Sequence, residues 1–182
     1  MHTYIAILRG INVGGKRMIK MQLLKELFGK LSYQNISTYI QSGNVVFQTN
    51  KTSVAKIELQ IIKAITETFG FDVPVIVMEY ETLNKIINEN KFLKDKSKNT
   101  DFLHVTFLAD APLKENEAKI NSKDYLPDEF FIIDKAVYLY CPNSYSNSKL
   151  TNGFFETKLK VNATTRNWKT TLALNEMAEQ LL

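Results

Sequence analysis

Residues 35–49 read NISTYIQSGNVVFQT. Two runs rich in β-branched and aromatic residues, 35–41 and 44–49, flank Ser42-Gly43, a two-residue hairpin signal. Upstream, Leu23, Leu24, Leu27, Phe28 and Leu31 recur at helical spacing and predict a helix over 20–30. Before that helix, 3–9 is an almost unbroken apolar run ending at Gly10, the pattern of a strand buried on both faces. Downstream, Val54, Ile57, Ile61, Ile65 and Phe69 form one stripe on a helix of about 18 residues stopped by Gly70. A further strand is expected over 73–80. The order β-α-β-β-α-β is the ferredoxin-like unit. Its usual sheet order, 4-1-3-2, puts the last strand at an edge, where Pro74 is tolerated.

The second half partly repeats this order. A helix is expected over 82–90, then a lysine-rich stretch over 91–98, a strand over 102–108 and a helix over 112–120. Strands over 130–134 and 137–141 follow, with helices near 151–159 and 168–182. This set reads β-α-β-β-α with no clear final strand. The expected fold class is therefore α+β: two ferredoxin-like subdomains, the second incomplete, plus C-terminal helices. The division falls at 1–80 and 81–182, with the two parts packed as one compact unit.

The chain has 182 residues, 45% of them hydrophobic, with 23 basic and 19 acidic side chains and a net charge of +4. Seven glycines and four prolines, with no apolar-poor segment, exclude disorder and low-complexity classes. The single cysteine, Cys141, excludes an internal disulfide and a cysteine-cluster metal site and suits a reducing cytoplasm. No apolar run approaches the ~20 residues a bilayer requires, and no basic leader precedes a cleavage site. A cytoplasmic protein with no membrane partner is expected.

The charge is unevenly placed. Only three of the 23 basic residues are arginines, Arg9, Arg17 and Arg166. Between Arg9 and Lys30 six basic residues face only Glu26, and between Lys149 and Lys169 five face only Glu156. Arginine supplies a planar fork of five donors, so its appearance in a lysine-rich chain marks these two segments for anion recognition.

The first segment, Arg9-Gly10-Ile11-Asn12-Val13-Gly14-Gly15-Lys16-Arg17, follows strand one. From Gly10 it fits G-x-x-x-x-G-K, in which backbone N–H groups cradle a phosphate. Arg17 stands where that motif needs a Ser or Thr, and the strand order is wrong for it, so anion binding without nucleotidase chemistry is the functional reading. The alternative is a turn shaped by glycine. In a ferredoxin-like sheet strand one runs antiparallel to strand three, which places this loop beside the hairpin. Gln41, Ser42 and Asn44 would then add neutral donors and acceptors, or serve only as hairpin residues. The second segment, Thr164-Thr165-Arg166-Asn167-Trp168, is read as the start of the last helix. Thr or Asn would cap that helix, and its free N–H groups with Arg166 make a second anion site. Trp168 and Leu172 mark a core anchor, with base or sugar stacking as the alternative.

Other chemistries lack parts. His2 is terminal, and His104 sits among apolar residues like a core histidine. No paired His or Cys spacing signals a metal, Ser42 has no histidine partner in sequence, and nothing signals a cofactor. No general base is visible, so whether the chain is an enzyme is left open.

Four motifs, RGINVGGK (9–16), TYIQSGNVVF (38–47), SKLT (148–151) and TTRNW (164–168), resemble the bacterial family known as domain of unknown function 1697. The resemblance runs through essentially the whole chain and implies a pair of ferredoxin-like subdomains. It implies no reaction. The functional expectation is thus a small phosphate- or nucleotide-like anion bound by Arg9, Asn12, Gly14, Gly15, Lys16, Gln41, Ser42 and Asn44, with Arg166 and Asn167 contributing. The alternatives are RNA binding through exposed aromatics, of which only Phe47 is suitably placed, and a non-catalytic interaction module.

Overall fold

The computed structural model describes all 182 residues, Met1–Leu182. It divides into two compact units, Met1–Asn84 together with Ala173–Leu182, and Lys85–Leu172. Each contains a four-stranded antiparallel sheet.

In the first unit, strands β1 (His2–Leu8), β2 (Gln34–Tyr39), β3 (Asn44–Thr49) and β4 (Val75–Glu79) take the order β2-β3-β1-β4. Helices α1 (Met21–Lys30) and α2 (Val54–Phe69) supply the β-α-β-β-α-β order. Ser53 starts α2 by accepting a hydrogen bond from the Lys56 N–H at 3.3 Å. Alternate residues of the sheet, Tyr4, Ala6, Leu8, Val45, Phe47, Val75 and Val77, face a core completed by Leu24, Leu27 and Phe28 of α1 and by Ile57, Ile61 and Ile65 of α2. Phe47 lies at its centre, with ring centroids 4.6 Å from Tyr33, 5.2 Å from Phe28 and 5.9 Å from Tyr4. The strand-period and helix-period stripes therefore meet in one aromatic-rich layer.

A short helix, α3 (Tyr80–Asn88), follows β4. In the second unit β5 (Leu103–Leu108), β6 (Glu129–Ile133), β7 (Ala136–Tyr140) and β8 (Ala163–Asn167) take the order β6-β7-β5-β8, the same order as the first sheet. Helices α4 (Lys114–Glu117) and α5 (Asn152–Leu159) precede β6 and β8, and α6 (Trp168–Glu179) ends the chain's regular structure. Leu108, Val137, Leu139, Leu150, Phe155, Leu159 and Ala163 form the core beside Cys141. Burial pushes the Cys141 thiol up to about 11, so little reactive thiolate forms near neutral pH.

Three sequence expectations change in detail. The second unit is complete: residues 163–167 are its fourth strand and pair with β5, Thr164 opposite Phe107 and Thr165 opposite Thr106. The segment ATTRN has no aliphatic run, and an edge strand with a single partner does not need one. The helix expected over 112–120 shrinks to Lys114–Glu117, because the charged segment lacks an apolar stripe long enough to anchor more turns. The hairpin turn spans four residues, Ile40–Gly43, since Ile40 leaves the extended region with φ 49°.

Candidate functional site

The first loop and first hairpin meet, as antiparallel pairing of β1 and β3 requires. The Leu8 N–H donates to the Gly43 carbonyl at 2.8 Å. Gly43 is obligatory here: its φ is +80°, and a Cβ would stand 2.7 Å from Ile11 Cδ1 and 2.8 Å from Leu8 Cβ. Ile11 and Ile19 are buried and pin both ends of the loop.

Between these anchors Asn12 closes a clasp. Its Nδ2 donates to the Ile19 carbonyl at 2.9 Å and to the Gln41 carbonyl at 2.8 Å, while its Oδ1 accepts from the Ile19 N–H at 2.8 Å. Both side-chain donors are therefore engaged. Asn12 ties the loop to the hairpin. Asn44 is similar: it is fully buried, and its Nδ2 donates to the Tyr39 carbonyl at 3.0 Å and to Ser42 Oγ at 2.9 Å. Asn12→Ala is expected to lower stability by about 1–3 kcal/mol, read by urea unfolding, and to speed hydrogen exchange at the Ile19 amide.

The tip beyond Asn12 is a tight turn. The Lys16 N–H donates to the Val13 carbonyl at 3.1 Å, with Gly14 at φ 58° and Gly15 at φ 71°. Two successive left-handed residues make a mirror-image turn that glycine adopts without strain. The G-x-x-x-x-G-K resemblance thus ends in a projecting turn: α1 starts at Met21, so Gly15-Lys16 does not open a helix as the phosphate-cradling motif demands. The turn leaves Gly14, Gly15, Lys16, Arg17 and Lys20 exposed, with Gln41 exposed and Ser42 half-buried on the adjoining hairpin. Arg17 folds back, its Nη1 3.6 Å from where a Gly10 Cβ would stand. Arg9, half-buried, continues from β1, and its N–H donates to the Pro74 carbonyl at 2.9 Å.

Arg166 and Asn167 belong to the second unit. Arg166 lies on β8 opposite Val105 rather than at a helix start. Its Nη1 donates to the Thr165 carbonyl at 2.9 Å and to Thr164 Oγ1 at 3.1 Å, and burial brings the guanidinium down to about 10. Asn167 caps α6, its Oδ1 accepting from the Thr170 N–H at 2.8 Å. Trp168 is buried and acts as a core anchor.

The same unit holds a polar network that sequence spacing does not bring together. Tyr145 donates to Thr165 Oγ1 at 3.1 Å, and Thr165 donates to Asn152 Oδ1. Thr106, 2.7 Å away, must then donate to Thr165, whose single proton is already engaged. His104 stacks on the Tyr145 ring at 4.7 Å between centroids. Burial lowers the His104 pKa below its ordinary value. The unfolded chain therefore takes up this proton first as pH falls, and stability falls with it below about 6.5. His104→Gln is expected to flatten that decline, measured as unfolding free energy against pH. A cavity of about 260 Å³ lies nearby in sequence, lined by Asp124, Asp128, Asn143, Asn147 and Lys149 among others. Its two carboxylates oppose an anionic ligand.

No group of three or more His, Cys, Asp or Glu side chains is placed to hold a metal ion. No helix is long and apolar enough to cross a membrane. Phe47 is fully buried and cannot stack on a base.

Residues 1–138 match the family model described as Protein of unknown function (DUF1697). Among solved structures, the conserved bacterial protein SP0830 from Streptococcus pneumoniae is similar over 97% of this chain and 98% of its own, with a TM-score of 0.72 and 20% identity. That likeness shows the shared α+β fold. No curated protein matches the chain.

Proposed function

The chain belongs to the DUF1697 family of proteins of unknown function, and from its own geometry we propose that it binds a phosphate-bearing anion at the edge formed by the first loop and first hairpin. One observation carries this reading. The Asn12 clasp fixes a turn whose cations Lys16, Arg17 and Lys20 are exposed and take no part in the ion pairs made by Lys63, Lys85, Lys98, Lys114 and Lys135. Three exposed cations within five residues of backbone raise the local positive potential, which attracts an anion. Gln41, exposed on the hairpin, offers a neutral amide beside them, and Arg9 lies at the neck of the loop. Asn12 and Asn44 act by shaping the edge, and Gly14 and Gly15 by letting the chain turn. Arg166 and Asn167 stabilise the second unit in this reading. A binding role with no reaction assigned follows, because no group at the edge is a general base.

The test is a thermal-shift series with inorganic pyrophosphate, nucleotides and sugar phosphates on the wild type and on the double variant Lys16→Gln with Arg17→Asn. Asparagine suits the left-handed φ of 48° at position 17. The wild type is expected to gain several degrees with at least one phosphate compound and the variant to gain little. No stabilisation of the wild type across the series would overturn the proposal.

A further inference from the structure

The same edge carries side chains that a soluble phosphate compound leaves unused. Val13 is 66% exposed, Met18 62% and Ile40 52%. Their placement follows from the clasp. Asn12 bonds to Ile19 and Gln41, and Val13, Met18 and Ile40 are the chain neighbours of Asn12, Ile19 and Gln41 respectively. Two exposed apolar residues of the loop and one of the hairpin thus flank the three positions that the clasp ties together. Ile40 is held out at φ 49°, a conformation that a β-branched residue adopts only when its surroundings impose it. Around the turn there is open space: nothing lies within 4 Å of a Cβ placed at Gly14 or Gly15.

We propose that this edge docks on an anionic phospholipid surface, with Val13, Met18 and Ile40 entering the interface while Lys16, Arg17 and Lys20 meet the lipid phosphates. The inference rests on the phosphate-binding reading above and names the source of the phosphate. Its chemistry is that of interfacial proteins, in which apolar side chains sink just below headgroups that basic side chains neutralise. Free pyrophosphate would use the cations and leave the apolar side chains in water. A projecting tip also suits a soft layer that closes around it. Docking of this kind is separate from spanning: the longest helix, α2, has 16 residues and one apolar stripe. The sequence expectation of no membrane partner rested on the lack of a span, which does not bear on a surface-docking edge.

The experiment is co-sedimentation of the full chain with vesicles of phosphatidylcholine alone and of equal parts phosphatidylcholine and phosphatidylglycerol, alongside pyrophosphate titration. The wild type is expected to sediment with the anionic vesicles and not the neutral ones. The triple variant Val13→Ser, Met18→Ser, Ile40→Asn is expected to lose roughly tenfold or more of that affinity while keeping its melting temperature and its pyrophosphate binding. The variant Lys16→Gln with Arg17→Asn is expected to lose both. Pyrophosphate binding without vesicle binding overturns the lipid assignment and leaves the anion site standing; loss of both in the wild type removes both. Equal vesicle binding by the triple variant overturns insertion of the apolar residues. Retention of the wild type by single-stranded RNA without vesicle binding moves the phosphate to a nucleic acid and overturns the proposal.

Discussion

Gly43→Val is expected to lower the unfolding free energy by roughly 2–5 kcal/mol, combining overpacking with the strain of a β-branched residue in the left-handed region. The collision is with fixed neighbours: the new Cβ would stand 2.8 Å from Leu8 Cβ on β1 and 2.7 Å from Ile11 Cδ1. Ile11 is buried, so it cannot swing into solvent to make room. The displaced hairpin would also pull the Gly43 carbonyl from the Leu8 N–H and the Gln41 carbonyl from Asn12. Urea unfolding measures the loss, and a change below about 1 kcal/mol, the size of an ordinary surface substitution, would contradict the packing described.

Leu174→Ala is expected to cost about 2–5 kcal/mol, the range for emptying a buried leucine site. Leu174 is fully buried in the terminal segment Ala173–Leu182, which belongs with the first unit. That segment is fastened by a polar ladder: Gln48 Nε2 donates to the Leu181 carbonyl at 2.7 Å and to Thr3 Oγ1 at 3.1 Å, and Asn35 Nδ2 donates to Gln48 Oε1 at 2.6 Å. The expected signature is loss of hydrogen-exchange protection at the amides of β1 and β3. Loss confined to β5 would contradict the placement.

The first unit was legible because its signals are local. Alternation in residues 44–49 and the stripe from Val54 to Phe69 each report the face an element buries, and the hairpin linked them. The order of the strands alone then places Arg9–Lys16 beside Gln41. Two features of the second unit were not legible for the same reason. β8 is polar and is a strand only because β5 pairs with it, and the His104–Tyr145–Thr165–Asn152 network joins residues up to 61 positions apart that share no spacing rule. The packing of residues 173–182 with the first unit likewise depends on contacts such as Gln48 to Leu181, 133 residues apart.

At the proposed edge, two of the amides have structural partners that residue type alone does not reveal. Asn12 and Asn44 carry the groups an anion would want, yet the backbone claims them first. Asn12 has φ 56° and Gly43 φ 80°, and chains that turn through the left-handed region leave carbonyls needing side-chain donors. The lysines of the turn are exposed, so the proposed anion edge rests on charge rather than amide chemistry. Exposed Val13, Met18 and Ile40 carried no signal in sequence, because apolar residues at turns read as core until burial is known.

Backbone amide NMR during titration with inorganic pyrophosphate tests the proposed phosphate-binding edge most directly. Shifts concentrated at Gly14–Lys20 and at Gln41 and Ser42, saturating with one equivalent and absent in Lys16→Gln with Arg17→Asn, are the expected result. Saturating shifts centred on Lys149 and its neighbours, or none at all at low salt, would contradict it.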